Sequence, residues 1–142
     1  MFASRRRSAP ALLLAVIAVL LVVSSPIQAM RKPRIRFAGL ERATTCIPGP
    51  VRLGETTSYH LEWEAAKART SRRKIVYNVY EATTRGGENY SQPTYTTAPG
   101  VTSFDTPQLP VEDTYYFVVR ARDRMGNEDS NTVEREGQDL CE

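Results

Sequence analysis

Tyr115-Tyr116-Phe117-Val118-Val119-Arg120-Ala121-Arg122 is the stretch that decides the fold class. Successive side chains of a strand point to opposite faces, so Tyr115, Phe117, Val119 and Ala121 share one face, and Tyr116, Val118, Arg120 and Arg122 the other. Aromatic and β-branched residues dominate it, which suits a pleated, half-buried surface. The loop that follows turns on Gly126-Asn127.

The same pattern recurs upstream. Residues 74–82 set Ile75, Tyr77 and Val79 against Val76, Asn78 and Tyr80, and residues 58–64 set Tyr59, Leu61 and Trp63 against His60, Glu62 and Glu64. Shorter strands are predicted at 34–40, 94–97 and 101–105, with a last one at 130–135 and a polar tail beyond it. Cys46-Ile47-Pro48-Gly49-Pro50, Arg85-Gly86-Gly87 and Pro99-Gly100 separate these runs, because Gly and Pro stop regular structure. No stretch keeps a long helical period. Seven short strands at this spacing predict an all-β sandwich or barrel.

The N-terminus reads differently. Arg5-Arg6-Arg7 head an apolar run over residues 9–23, and Ser24-Ser25-Pro26 lead to a small residue, Ala29. A basic head, an apolar middle and a small residue at the cut describe a secretory signal, and the apolar run is shorter than the ~20 residues of a membrane span. The expected division is a signal peptide over 1–29, a sandwich over 30–136 and a C-terminal tail over 137–142. Cleavage after Ala29 would leave 113 of the 142 residues. The chain has 19 basic and 16 acidic side chains, and the segment removed holds three of the basic ones and no acid, so 16 would face 16. The basic character therefore belongs to the export signal and gives no argument for nucleic-acid binding.

Cys46 and Cys141 are the two cysteines and His60 the one histidine, which excludes the usual zinc sets of four Cys and His ligands. In an exported protein two cysteines are expected to pair.

The order of these strands resembles the fibronectin type III family. Leu61-x-Trp63 falls on the second predicted strand, where the family buries a tryptophan, and Tyr77-x-Val79-Tyr80 matches its third-strand pattern. Leu109 before Thr114-Tyr115 resembles the family's leucine and tyrosine corner. Val119-Arg120-Ala121-Arg122-Asp123, running to Gly126-Asn127 and Ser130, resembles its sixth strand and following loop. An immunoglobulin domain would carry its tryptophan on the third strand and cysteines on the second and sixth. The resemblance implies a seven-stranded immunoglobulin-like sandwich with Leu61, Trp63, Tyr77, Val79, Leu109, Tyr115, Phe117 and Val119 in the core, and a Tyr115 hydroxyl bonded to backbone at the corner. It also implies that the turn after the first strand and the end of the last strand emerge at one pole, so that a Cys46–Cys141 bond would clasp the tail there.

No catalytic constellation stands out, neither a Ser-His-Asp set nor paired carboxylates, and no cofactor is implied. His60 beside Glu62 and Glu64 is expected on a solvated strand face, and Asp123, Asn127 and Asp129 offer too few oxygens for a calcium cage. The strongest charge run is Arg69, Arg72, Arg73 and Lys74, in a connection that the resemblance places at the same pole as Asp123, Glu128 and Asp129. That arrangement reads either as a salt-bridged rim or as a loop-borne patch for an acidic partner. Arg31, Lys32, Arg34 and Arg36 form a second basic run. The expected function is that of a non-enzymatic binding module, secreted or held in the periplasm or cell envelope, whose partner is a protein or polysaccharide rather than nucleic acid. The alternative is a structural spacer held at a membrane by an uncleaved N-terminal helix.

Overall fold

A computed structural model describes residues 35–68 and 74–141. The expected signal peptide (1–29), the basic positions Arg31, Lys32 and Arg34, and the loop cations Arg69, Arg72 and Arg73 lie outside the described residues. Among the described residues no helix is long and apolar enough to cross a membrane.

The elements are strands: β1 (Arg42–Thr45), β2 (Thr56–Thr57), β3 (His60–Glu62), β4 (Val76–Ala82), β5 (Tyr95–Thr96), β6 (Ser103–Asp105), β7 (Leu109–Pro110), β8 (Tyr116–Arg122), β9 (Glu134–Glu136) and β10 (Gln138–Asp139). One four-stranded sheet has the order β10-β1-β3-β6, another β5-β4-β8-β9, and β2 pairs with β7 in a two-stranded ribbon. The central pair is β4 against β8, antiparallel over seven residues from Val76↔Arg122 to Ala82↔Tyr116.

The alternation read from sequence determines which faces meet. Ala43 and Leu61 from the first sheet, and Tyr77, Val79, Phe117, Val119 and Ala121 from the second, join one buried cluster with Tyr59, Trp63, Leu109 and Tyr115. Aromatic rings interlock across the gap. Trp63 meets Tyr77 at 5.1 Å and Tyr59 meets Phe117 at 5.5 Å between centroids, while Tyr95 of β5 reaches Phe104 of β6 at 5.3 Å where the two sheets end. The chain is thus all-β, with two largely antiparallel sheets sharing one core, consistent with a β-sandwich. All eight core residues expected from sequence lie in that cluster.

Three expectations need correction, and one face proves more covered than its neighbours. The first strand does not run over 34–40. Regular pairing begins at Arg42, and upstream of it Arg36 makes a single bridge to Lys67, through two backbone bonds of 2.8 Å. Gly39 breaks the run: its φ of +96° is a left-handed conformation, and Val133 and Asn131 leave no room for a side chain.

The stretch past Glu136 is more than a polar tail, because β10 pairs in parallel with β1, Thr44↔Gln138 and Thr45↔Asp139. The chain leaves β8 and joins the other sheet at Gly137, whose backbone lies so close to the Tyr59 ring that any Cβ would collide with it.

The second face of β4 and β8 is covered at its middle, while Arg122 at the end of β8 is exposed. Asn78, Tyr80 and Val118 are buried there as fully as the inner residues. Finally, the partner of the Tyr115 hydroxyl is the Asp113 carboxylate at 3.5 Å, not backbone.

Cys46 and Cys141 form a disulfide with 4.7 Å between Cα atoms. The parallel pairing of β10 with β1 brings them together, because Cys46 directly follows β1 and Cys141 lies two residues past Asp139. Asp139 Oδ1 accepts from the backbone N–H of both Ile47 and Cys141, which stitches the same junction.

Candidate interaction surface

At the pole opposite the disulfide, an open groove of about 710 Å³ lies between three walls. Residues 35–38 precede β1, Glu64, Ala65 and Lys67 follow β3, and Asp129, Ser130 and Asn131 follow β8. Elementary pairing rules position each wall. The Arg36–Lys67 bridge closes the first against the second. Asp129 fixes the third, since its carboxylate accepts from the backbone N–H of Ala121 and, at 2.8 Å, from that of Asn131. Asn131 in turn donates from Nδ2 to Val119 O at 2.8 Å. Ile35 and Phe37 pack against the core, and the Phe37 ring sits 5.3 Å from Tyr77. A frame tied at this many points holds its loops still, which is what a recognition surface requires.

The acids expected to form a rim with the basic loop are instead turned into the protein. Asp123 is 6 % exposed and accepts from Met125 N, Asn127 N and Asn127 Nδ2, at 2.9, 2.9 and 3.0 Å. Burial alone would raise its pKa, but these bonds, with Arg122 nearby, hold it below the ordinary 3.8. Glu128 accepts from Asn78 Nδ2 and, at 2.8 Å, from the Tyr80 hydroxyl, and its carboxylate lies 3.8 Å from Arg120. Asp123, Glu128 and Asp129 therefore shape the loop after β8, and among the described residues Lys74 pairs with none of them. Its side chain is exposed.

Asp123→Ala should destabilise the fold by about 1–2 kcal/mol, because two backbone N–H groups lose their acceptor. A carboxyl whose folded pKa is depressed stabilises above its unfolded value. The gap between wild type and variant should hold above about pH 4 and close as the pH falls through the lower folded value. Urea melts at pH 7 and pH 3 measure both.

A second polar cluster went unread in the sequence. The chain between β4 and β5 folds back over the outer face of the β4–β8 pair. Arg120 lies between two rings, its guanidinium carbon 3.6 Å from the Tyr90 centroid and 5.6 Å from that of Tyr80, while its Nε donates to Asn131 O at 2.9 Å. Burial, then the Glu128 carboxylate, pushes the Tyr80 phenol up to about 12. Glu88 is buried there, and burial, followed by the adjacent Glu134, raises its pKa. The available signal was Val118 and Tyr80, large apolar or aromatic side chains on the second face of their strands.

His60 sits on the outer face of β3, with Nδ1 2.5 Å from Asp105 Oδ1 and Nε2 3.5 Å from Glu62 Oε1. The hydrogen bond to Asp105 raises its pKa, against a smaller opposing effect of burial. Among the described residues no three His, Cys, Asp or Glu side chains are grouped to hold a metal ion. No family model, no curated protein and no solved structure matches the chain.

Proposed function

We propose that this protein is an exported, non-enzymatic binding module of fibronectin type III type, which holds an acidic partner at the groove before β1. The observation that carries the reading is the groove itself. Its first two walls present Arg36 and Lys67, and in sequence those walls continue into the two basic runs, Arg31-Lys32-Pro33-Arg34 on one side and Arg69 to Lys74 on the other. Asp123, Glu128 and Asp129 are hydrogen-bonded inward, which leaves Glu64 as the exposed carboxylate of the groove lining beside Arg36 and Lys67. Loops on a rigid sandwich, cationic and preorganised, suit recognition of carboxylate or other anionic groups.

The sheet orders support the family reading. The fourth predicted strand, β5, pairs with β4 of the sheet that also holds β8 and β9, whereas a constant-type immunoglobulin domain places its fourth strand with the first, second and fifth. The disulfide supports export, since such bonds persist in oxidising compartments.

The experiment is binding of the purified chain to immobilised alginate and to polyglutamate at several salt concentrations. Binding that weakens as salt rises, and by about tenfold in Arg36→Glu/Lys67→Glu, is the expected result. Binding to neither probe, or equal binding by the double variant, overturns the proposal.

A further inference from the structure

Among the described residues, three of the four large exposed hydrophobic side chains lie on the segments at the disulfide pole: Val51 is 55 % exposed, Leu53 93 % and Leu140 63 %. They sit on two segments that the disulfide and the β1–β10 pairing bind into one unit, with Leu140 N donating to Thr45 O at 2.9 Å. The tip is rigid. Pro48 and Pro50 restrict the chain, and the turn that carries Leu53 is closed by Glu55 N donating to Arg52 O and Arg52 N donating to Glu55 Oε2, both at 3.2 Å. A fully exposed leucine on a fixed turn is an apolar knob held in water, and clustered exposed apolar groups mark interaction sites.

Beside the knob is a hollow of about 350 Å³, whose lining joins apolar Ile47, Pro48 and Val111 to polar Glu55, Thr56 and Thr57. Knob and hollow thus lie side by side on one pole, which is the condition for a two-fold contact: each copy offers what the other needs. The charges are arranged in the same self-complementary way. The Arg52 guanidinium and the Glu112 carboxylate are exposed, and neither has an ion-pair partner among the described residues. Val111 of the hollow adjoins Glu112, just as Leu53 of the knob adjoins Arg52.

We propose that this pole is a homodimer contact, in which Leu53 of each copy enters the hollow of the other and Arg52 faces the partner's Glu112. The patch is small, so the dimer is weak and concentration-dependent. It lies away from the groove and leaves that surface free, so two binding sites would be joined in one particle.

Sedimentation equilibrium of the oxidised protein tests this. Wild type should dimerise with a dissociation constant in the range of about 1–100 µM. Leu53→Asp, at a position whose side chain touches solvent almost entirely, should raise that constant by about tenfold or more while the thermal melt extrapolated to monomer stays unchanged. Arg52→Glu should weaken the dimer, and Arg52→Glu/Glu112→Arg should restore it. A wild type that stays monomeric up to about 100 µM overturns the proposal. So does a dimer that survives Leu53→Asp, and so does a monomer that instead binds phosphatidylcholine vesicles through Leu53. Failure of the alginate and polyglutamate assay leaves this result untouched, because the groove residues take no part in it.

Discussion

Phe117→Ala is expected to lower the unfolding free energy by about 3–5 kcal/mol, the range for deleting a large aromatic from a closed core. Phe117 has no exposed surface. Its ring meets Tyr59 from the facing sheet at 5.5 Å and stacks beside Tyr115 at 6.3 Å. The backbone around it is paired on both sides, to Glu81 in β4 and Arg135 in β9, so the strand cannot collapse into the hole. A domain of this size is stable by about 5–15 kcal/mol, so the variant loses a large share of its margin. Urea unfolding should show a lower midpoint with an unchanged slope. Met125→Ala is the control: that side chain is 76 % exposed, and its removal should change stability by no more than about 0.5 kcal/mol. A loss below about 1 kcal/mol for Phe117→Ala would show that the two sheets do not share this core.

Breaking the disulfide should have the next largest effect. The bond spans a sequence separation of 95 residues. Constraining so long a loop in the unfolded chain stabilises by about 4–5 kcal/mol in the chain-entropy account, and measured values centre on about 2–4 kcal/mol. Cys46→Ala/Cys141→Ala should therefore lose about 2–5 kcal/mol, and reductant should bring wild type to the same midpoint without affecting the variant.

The loss has a local component as well. β10 has only two residues, and the Leu140 N–H to Thr45 O bond lies at its end. Without the clasp that ladder should open first, so the Leu140 amide exchanges faster while amides in the β4–β8 pair keep their protection until global unfolding. Uniform protection in the reduced protein would show that β10 holds without the bond.

The inner face of the fold was legible because alternation is a local property. Tyr77, Val79, Phe117 and Val119 are apolar at every second position, and a strand can bury such a set in only one way. The outer face was not legible by the same rule. Asn78 and Tyr80 lie on the face opposite the core, and the chain between β4 and β5 covers them, with the Tyr90 ring 5.2 Å from Tyr80. A loop's path over a sheet depends on contacts between residues far apart in sequence, such as Gly86 N with Glu134 Oε2 at 2.6 Å, and no local period records those.

The loop acids teach the same lesson. Asp123, Glu128 and Asp129 look like a charged rim in sequence, since charge is written there and direction is not. Each turns inward because a backbone N–H or a buried Asn or Tyr needs an acceptor, and a buried donor left unpaired costs more than a solvated carboxylate gives up.

By itself, then, the sequence determined the all-β class, the inward core residues Leu61, Trp63, Tyr77, Val79, Tyr115, Phe117 and Val119, and the pairing of Cys46 with Cys141 as an expectation of compartment. Those follow from side-chain alternation, turn chemistry and cysteine count, which act over a few residues or over composition. Only the tertiary structure decided where the first strand begins, that the chain past Glu136 joins the other sheet through Gly137, which acids are buried, and that an apolar knob stands beside a hollow at the disulfide pole. Those depend on which distant segments fill the space around one another, and close packing settles that for the whole chain at once.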